Sequence, residues 1–194
     1  MRELTEPFSS RLGGTTGLAP YEGKVERHLS DLRGCFLNSD LVEQMLSEGK
    51  NPKIYEVYEI PQEPNTGLLS IGATVIYPGK IGDEYYFTKG HFHQKEPRAE
   101  IYIGIEGEGR ILIQNRSGES TYFQIKPNVL VYIPPQSAHR SINTGSNRLV
   151  FLAIYPSDAG HDYKGIEDRG FAKIVVEKDG NPVIEDNPKY IKTS

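Results

Sequence analysis

His91 and His93 bracket Phe92, Glu100 follows shortly after, and His139 lies in a second patch, so three imidazoles and one carboxylate come from a limited span of chain. Neutral imidazole and carboxylate suit Fe(II), Mn, Ni or Zn, whereas thiolate-rich sets select zinc or iron–sulfur clusters. The spacing matters because successive side chains on a strand point to opposite faces, so His91 and His93 project together and Phe92 points away. An H-x-H pair alone is more often polar surface than ligand. Here three of the chain's five histidines fall in the two patches. A carboxylate on the next strand and an imidazole from a strand entering elsewhere would close the set around the cavity of a small barrel. One divalent ion with four protein ligands in a six-coordinate shell keeps two positions open, enough for water or two vicinal substrate oxygens.

The elements that must position these groups are strands. From Lys53 onward, β-branched and aromatic residues are punctuated by Gly, Pro, Asn and Asp, which predicts strands near 53–60, 69–77, 84–91, 99–106, 109–115, 119–125, 129–133, 139–143, 148–155, 171–178 and 181–186. Ser117-Gly118 and Asp179-Gly180 supply hairpin turns. Many short strands at this spacing favour an all-β closed or double-sheet barrel. The first residues read differently. Gly13, Gly14, Gly17 and Pro20 break regular structure, and one short helix follows, with Ser39 as N-cap, Leu41, Val42, Met45 and Leu46 as its apolar stripe and Gly49 as its stop. The expected organisation is an arm with that helix over 1–52, a barrel over 53–188 and a tail over 189–194.

Alternation then assigns faces. On 99–106, Glu100, Tyr102 and Gly104 share the cavity side, and Ile101, Ile103 and Ile105 the other. Tyr55 and Tyr58 have opposite parity, so at most one faces the site, and Tyr55 is preferred.

Bulk properties exclude several function classes. At 194 residues the chain can bury a sizeable core. Its net charge of −4 and lack of clustered Lys and Arg argue against nucleic acid. A single cysteine, Cys35, permits no intrachain disulfide and fits a reducing compartment. The start, Met1 to Phe8, is charged, so no signal peptide is visible. The longest apolar run, Leu149 to Tyr155, falls far below the roughly 20 residues a membrane helix needs. A cytoplasmic location is expected, with no nucleic-acid or membrane partner.

The second patch, Tyr132 to Asn143, resembles the second cupin motif: Pro134, His139 and Asn143 are in register, while Gln136 stands where the family has glycine. His91, His93, Glu100 and Gly107 match the first motif, with two departures. Tyr85 replaces its leading glycine, and six residues separate His93 from Glu100, a longer gap than most cupins have. Flanking segments narrow the likeness. Thr88 to His93, Arg98-Ala99-Glu100, Phe151 to Tyr163, Tyr55 to Tyr58, Tyr77 to Lys80 and Phe171 to Val175 resemble the cupin-type glucose-6-phosphate isomerases of archaea and some bacteria, over roughly residues 53–188.

That resemblance implies a cupin double-stranded β-barrel, or jelly roll, that isomerises glucose 6-phosphate to fructose 6-phosphate as a homodimer. It implies one divalent ion per subunit on His91, His93, Glu100 and His139, with Fe2+ foremost and Mn2+, Ni2+ or Zn2+ acceptable. The proton shuttle falls to Glu100, Tyr155 or His161. Thr88 and Gly90 are placed to hold phosphate, with Tyr55, Thr74 and Tyr102 as further substrate contacts and Lys89 and Arg98 as steering cations. A mannose phosphate isomerase, an Fe(II) dioxygenase and a metal-free storage cupin would use the same barrel.

Overall fold

Strands with one apolar face can bury it only against another layer, and antiparallel meanders do so by stacking as two sheets. The computed structural model describes residues 7–65 and 67–191. The first six residues of the expected arm and the last three of the expected tail lie outside the described residues. The strands are β1 (Arg11–Leu12), β2 (Leu18–Ala19), β3 (Gly23–His28), β4 (Lys53–Ile60), β5 (Leu69–Ile76), β6 (Lys80–Ile81), β7 (Glu84–Tyr85), β8 (Glu100–Glu106), β9 (Gly109–Asn115), β10 (Ser120–Ile125), β11 (Leu130–Ile133), β12 (Ser137–Asn143), β13 (Leu149–Pro156), β14 (Lys173–Lys178) and β15 (Asn181–Asp186).

One layer is a six-stranded antiparallel sheet in the order β11-β8-β13-β5-β4-β3. The other is β10-β9-β12, extended by the segment around 86–93 through the bridges Phe87↔Ile142 and His91↔His139. At its start that segment runs on from β7, which belongs to a four-stranded sheet β15-β14-β7-β6. Ile111, Ile113 and Ile142 of one layer and Tyr102, Val131 and Phe151 of the other share a single core cluster. This is an all-β cupin-type jelly roll. Asn143 ties its layers together, since its buried Nδ2 donates to the Ile76 carbonyl of β5 at 2.9 Å.

Several sequence expectations change in detail. The stretch 84–91 is not one strand: after β7 it pairs only at isolated bridges, because the five residues from Phe87 to His91 oppose the four from Ile142 to His139. The extra residue makes a bulge at Lys89-Gly90, where Gly90 takes φ +76°. The region expected as an arm also supplies β3, which pairs with β4 from Gly23↔Glu59 onward and completes the large sheet. Helix α1 (Ser39–Ser47) is capped by Asn38, not Ser39: the Asn38 Oδ1 accepts from the Leu41 N–H at 3.0 Å. Val42 of its stripe is buried and Gly49 ends it at φ +76°. A second short helix, α2 (Lys164–Glu167), and a 3-10 turn at Leu29–Leu32 were not foreseen.

Gln136 shows how a departure from the family motif is accommodated. It adopts φ +62°, the left-handed region where glycine is at ease. Its N–H donates to Glu96 Oε2 at 3.0 Å. Glu96 belongs to the long segment between His93 and Glu100, so the two departures from the motif support each other.

Candidate metal centre

Alternation on five neighbouring strands builds the cavity. Val25 and Arg27 of β3, Tyr55, Val57 and Glu59 of β4, Gly72 and Thr74 of β5, Glu100 and Tyr102 of β8, and Phe151, Ala153 and Tyr155 of β13 all face one space of about 270 Å³. Thr88, Gly90, His91 and His139 close it from the second layer, and His161 and Tyr163 also line it. Tyr58 points to the opposite face, where its ring meets Tyr21 edge-on at 4.8 Å. The bulge has a direct effect here. A regular strand would put Thr88 and His91 on opposite faces, whereas the extra residue lets both line the cavity.

Four donors converge. One atom each from His91, His93, Glu100 and His139 lies within 4.8 Å of the others. His91 and His139 exchange backbone hydrogen bonds, with the His139 N–H donating to the His91 carbonyl at 3.1 Å. Glu100 enters from the opposing sheet. His93 Nδ1 lies 2.9 Å from the Arg98 carbonyl and His139 Nδ1 lies 3.4 Å from the Ser137 carbonyl. Both rings thereby turn Nε2 toward Glu100 Oε2, at 3.3 Å and 3.0 Å. Histidine ligands are commonly oriented this way, by the nitrogen that does not bind.

Whether these residues fit a cation can be tested on their own polar balance. Among the described residues the buried His139 Nε2 has no hydrogen-bond partner, because its short approach to Glu100 is not aligned for one. Such an orphan is costly in a dry interior. A divalent ion among the four donors would satisfy it together with the Glu100 charge. Burial alone would raise the Glu100 carboxyl, but the His139 and His93 rings outweigh it and hold it at about 2. Burial would likewise lower His93, yet its hydrogen bond to Glu100 overrides this and leaves the ring raised. An incoming ion must displace a proton from His93, so ion uptake strengthens as pH rises through that raised value.

The other expected site residues are placed as follows. Tyr55, Thr74 and Tyr102 are buried in the cavity wall, and burial holds the Tyr55 phenol up at about 12 and pushes the Tyr102 phenol well above its ordinary value. Thr88 Oγ1 accepts from the Ser141 N–H at 3.0 Å, and Gly90 lies in the wall beside it. Tyr155 is half-buried, with its hydroxyl 3.5 Å from Glu59 Oε1. His161 is exposed, with its ring centroid 4.3 Å from His91 and stacked on Tyr163 at an 11° angle.

The two expected steering cations do not line the cavity. Lys89 pairs with Glu167, and Arg98 makes a two-pronged contact to Asp158, Nε to Oδ1 and Nη2 to Oδ2 at 2.7 Å each. The cation that does line it is Arg27. Arg27 and Glu59 escaped the sequence reading because both lie outside the motifs. Their parity with Val25 and with Tyr55 was the available signal.

The chain matches the model of the family described as Glucose-6-phosphate isomerase (GPI) over residues 26–192. The chain belongs to this family. The curated relatives it resembles include glucose-6-phosphate isomerases of Thermococcus kodakarensis, 48% identical over 97% of this chain and 98% of that protein, and of Thermococcus litoralis, 47% identical over 95% and 97%. A bacterial member from Sinorhizobium medicae is 34% identical over 93% of this chain and 85% of its own length. Family membership makes the chain an isomerase, and the described fold makes it one of the cupin type. Among the described residues no helix is long and apolar enough to cross a membrane.

Proposed function

We propose that this cavity interconverts glucose 6-phosphate and fructose 6-phosphate with one divalent ion held by His91, His93, Glu100 and His139. The observation that carries the reading is the four-donor cluster, with His93, Glu100 and His139 buried, opening onto the cavity in a chain of this family. Fe2+ is the first choice, with Mn2+, Ni2+ and Zn2+ compatible with the same donors. When bound, such an ion supplies Lewis-acid polarisation of a carbonyl oxygen. The chain's own residues do the rest. Glu100, with its depressed pKa, is a weak base and serves foremost as a ligand. The Tyr155 phenol is kept protonated, by burial first and by Glu59 beside it, and its one O–H, which points to Glu59 Oε1 at 3.5 Å, can turn from that long contact to donate to a substrate oxygen instead. His161 stands by the ligands, where its ring can relay a proton to the sugar.

Thr74, Thr88, Gly90, Tyr55 and Tyr102 hold the substrate, and Arg27 balances the phosphate charge. Arg27→Gln is expected to raise KM roughly 10- to 100-fold with kcat little changed, the loss of one charged hydrogen bond of about 1.5–3 kcal/mol. Steady-state kinetics check this, and an unchanged KM would remove Arg27 from the phosphate site.

The central test is a coupled assay of fructose 6-phosphate formation before and after chelation. Activity should vanish with EDTA and return with Fe2+ or Mn2+. Undiminished turnover after verified metal removal would end the proposal, and oxygen uptake in its place would mark a dioxygenase.

A homodimer in the cytoplasm completes the reading. The outer face of the six-stranded sheet leaves Ile71, Ile103, Ile105 and Ile154 only partly buried, and Leu130 and Tyr132 on its β11 edge are 58% and 55% exposed. Contiguous apolar surface of this kind favours association.

A further inference from the structure

Beside the catalytic cavity lies a second recess of about 160 Å³, and Gly90 and Tyr163 line both spaces. Its wall includes Arg140, which is only 7% exposed. Among the described residues no carboxylate pairs with Arg140. Its Nη2 donates to the Lys89 carbonyl at 2.9 Å and its Nε has no partner. The guanidinium lies 4.1 Å from the centroid of the Phe87 ring and 4.5 Å from that of Phe171. Two aromatic faces soften the cost of burying a cation but supply no counter-charge. Lys189, also in the lining, donates only to neutral acceptors at long range, the Phe36 carbonyl at 3.4 Å and the Ser39 hydroxyl at 3.3 Å. Four cationic residues thus face two carboxylates in the lining, in a chain of net charge −4. The buried Glu84 carboxyl behind them acts on Arg140 and Lys189 at a distance, its Oε2 taken by the Leu37 N–H at 2.6 Å.

We propose that this recess is a second anion site that takes a phosphoryl group, either inorganic phosphate or the phosphate end of a small phosphomonoester. A dianion would use the Arg140 guanidinium and the Lys189 ammonium, and such charge-assisted bonds are the strong ones. Arg169, the third cation in the wall without an ion pair among the described residues, already donates to the Arg116 carbonyl and the Tyr190 hydroxyl. The space is about half the lower end of the roughly 300–1,000 Å³ that drug-sized ligands occupy, so a whole sugar phosphate is excluded. Occupancy bears on catalysis through one contact. Arg140 grips the carbonyl of Lys89, the residue whose bulge with Gly90 lets Thr88 and His91 face the active cavity together.

The test is to soak crystals of the metal-loaded full chain in selenate, a tetrahedral dianion whose anomalous scattering locates it. A peak is expected within hydrogen-bonding distance of Arg140 and Lys189, apart from any peak in the catalytic cavity. Lys189→Glu, a change outside the catalytic machinery, should abolish that peak while basal turnover persists. Arg140→Lys is the more direct variant, and Lys189→Glu keeps the test valid should it misfold. In solution, phosphorus NMR titrations of the same two proteins should show second-site binding at least tenfold weaker in Lys189→Glu. Comparing inorganic phosphate with glycerol 3-phosphate tells which source is preferred, and weaker binding of both to the variant supports the site. An empty recess when the catalytic cavity is filled, or a peak undiminished in Lys189→Glu and hence an adventitious ion only, would overturn the proposal. Binding there does not depend on which sugar the neighbouring cavity turns over.

Discussion

His139→Ala is expected to lose bound metal and turnover together, with ion affinity falling by more than about 100-fold. Partners that merely orient a ligand cost roughly 10- to 100-fold when removed, so removal of a ligand must cost more. The ring is 2% exposed and its Nε2 is the orphaned atom of the cluster, so alanine removes the donor that has least reason to be there without an ion. The backbone exchange between residues 91 and 139 survives the change, because it uses only main-chain groups. The variant should therefore fold, as circular dichroism would report. Elemental analysis and the coupled assay on one preparation give the answer, and full occupancy with a normal rate would strike His139 from the ligand set.

Gly90→Ala is expected to destabilise the fold by about 2–4 kcal/mol, from the left-handed backbone cost and the overpacking that follows. A methyl group there would stand 2.6 Å from Phe171 Cε2 and 2.9 Å from the His139 carbonyl oxygen, at φ +76°. The ring can tilt, but the carbonyl belongs to a paired strand and cannot. Thermal unfolding of the ion-free variant should show a drop of roughly 5–15 °C, on the scale of about 2–4 °C per kcal/mol for a chain of this size. Metal content should fall as well, since the same bulge faces His91 into the cavity. A variant within about 0.5 kcal/mol of the parent that keeps its ion would show the bulge to be incidental.

The large sheet was legible because period-two alternation survives wherever a strand is regular. Glu100 and Tyr102 against Ile101 and Ile103 was readable from spacing alone, and so was Tyr55 against Tyr58. The stretch from Glu84 to His91 was not, because one inserted residue inverts the parity and glycine gives no sign of whether it bends or extends. The convergence of His91, His93, Glu100 and His139 could be anticipated from motif spacing, since the two halves of a jelly roll bring those positions together. Arg27 and Glu59 could not be anticipated. Their strands carry charged residues on both faces, so polarity no longer marks the inside, and only the pairing of β3 with β4 reveals which way each points. Arg140 was hidden for a related reason: an arginine beside a ligand histidine reads as surface until the rings of Phe87 and Phe171 are seen to enclose it.

Glu100 reaches the cluster from one layer of the sandwich while His91 and His139 reach it from the other. An ion seated among them acts as a rivet through two plates: it resists the parting of the sheets as well as serving the substrate. Heat tolerance and catalytic competence would then draw on the same supply of metal, and a cell starved of that metal would lose the enzyme by unfolding as well as by idleness.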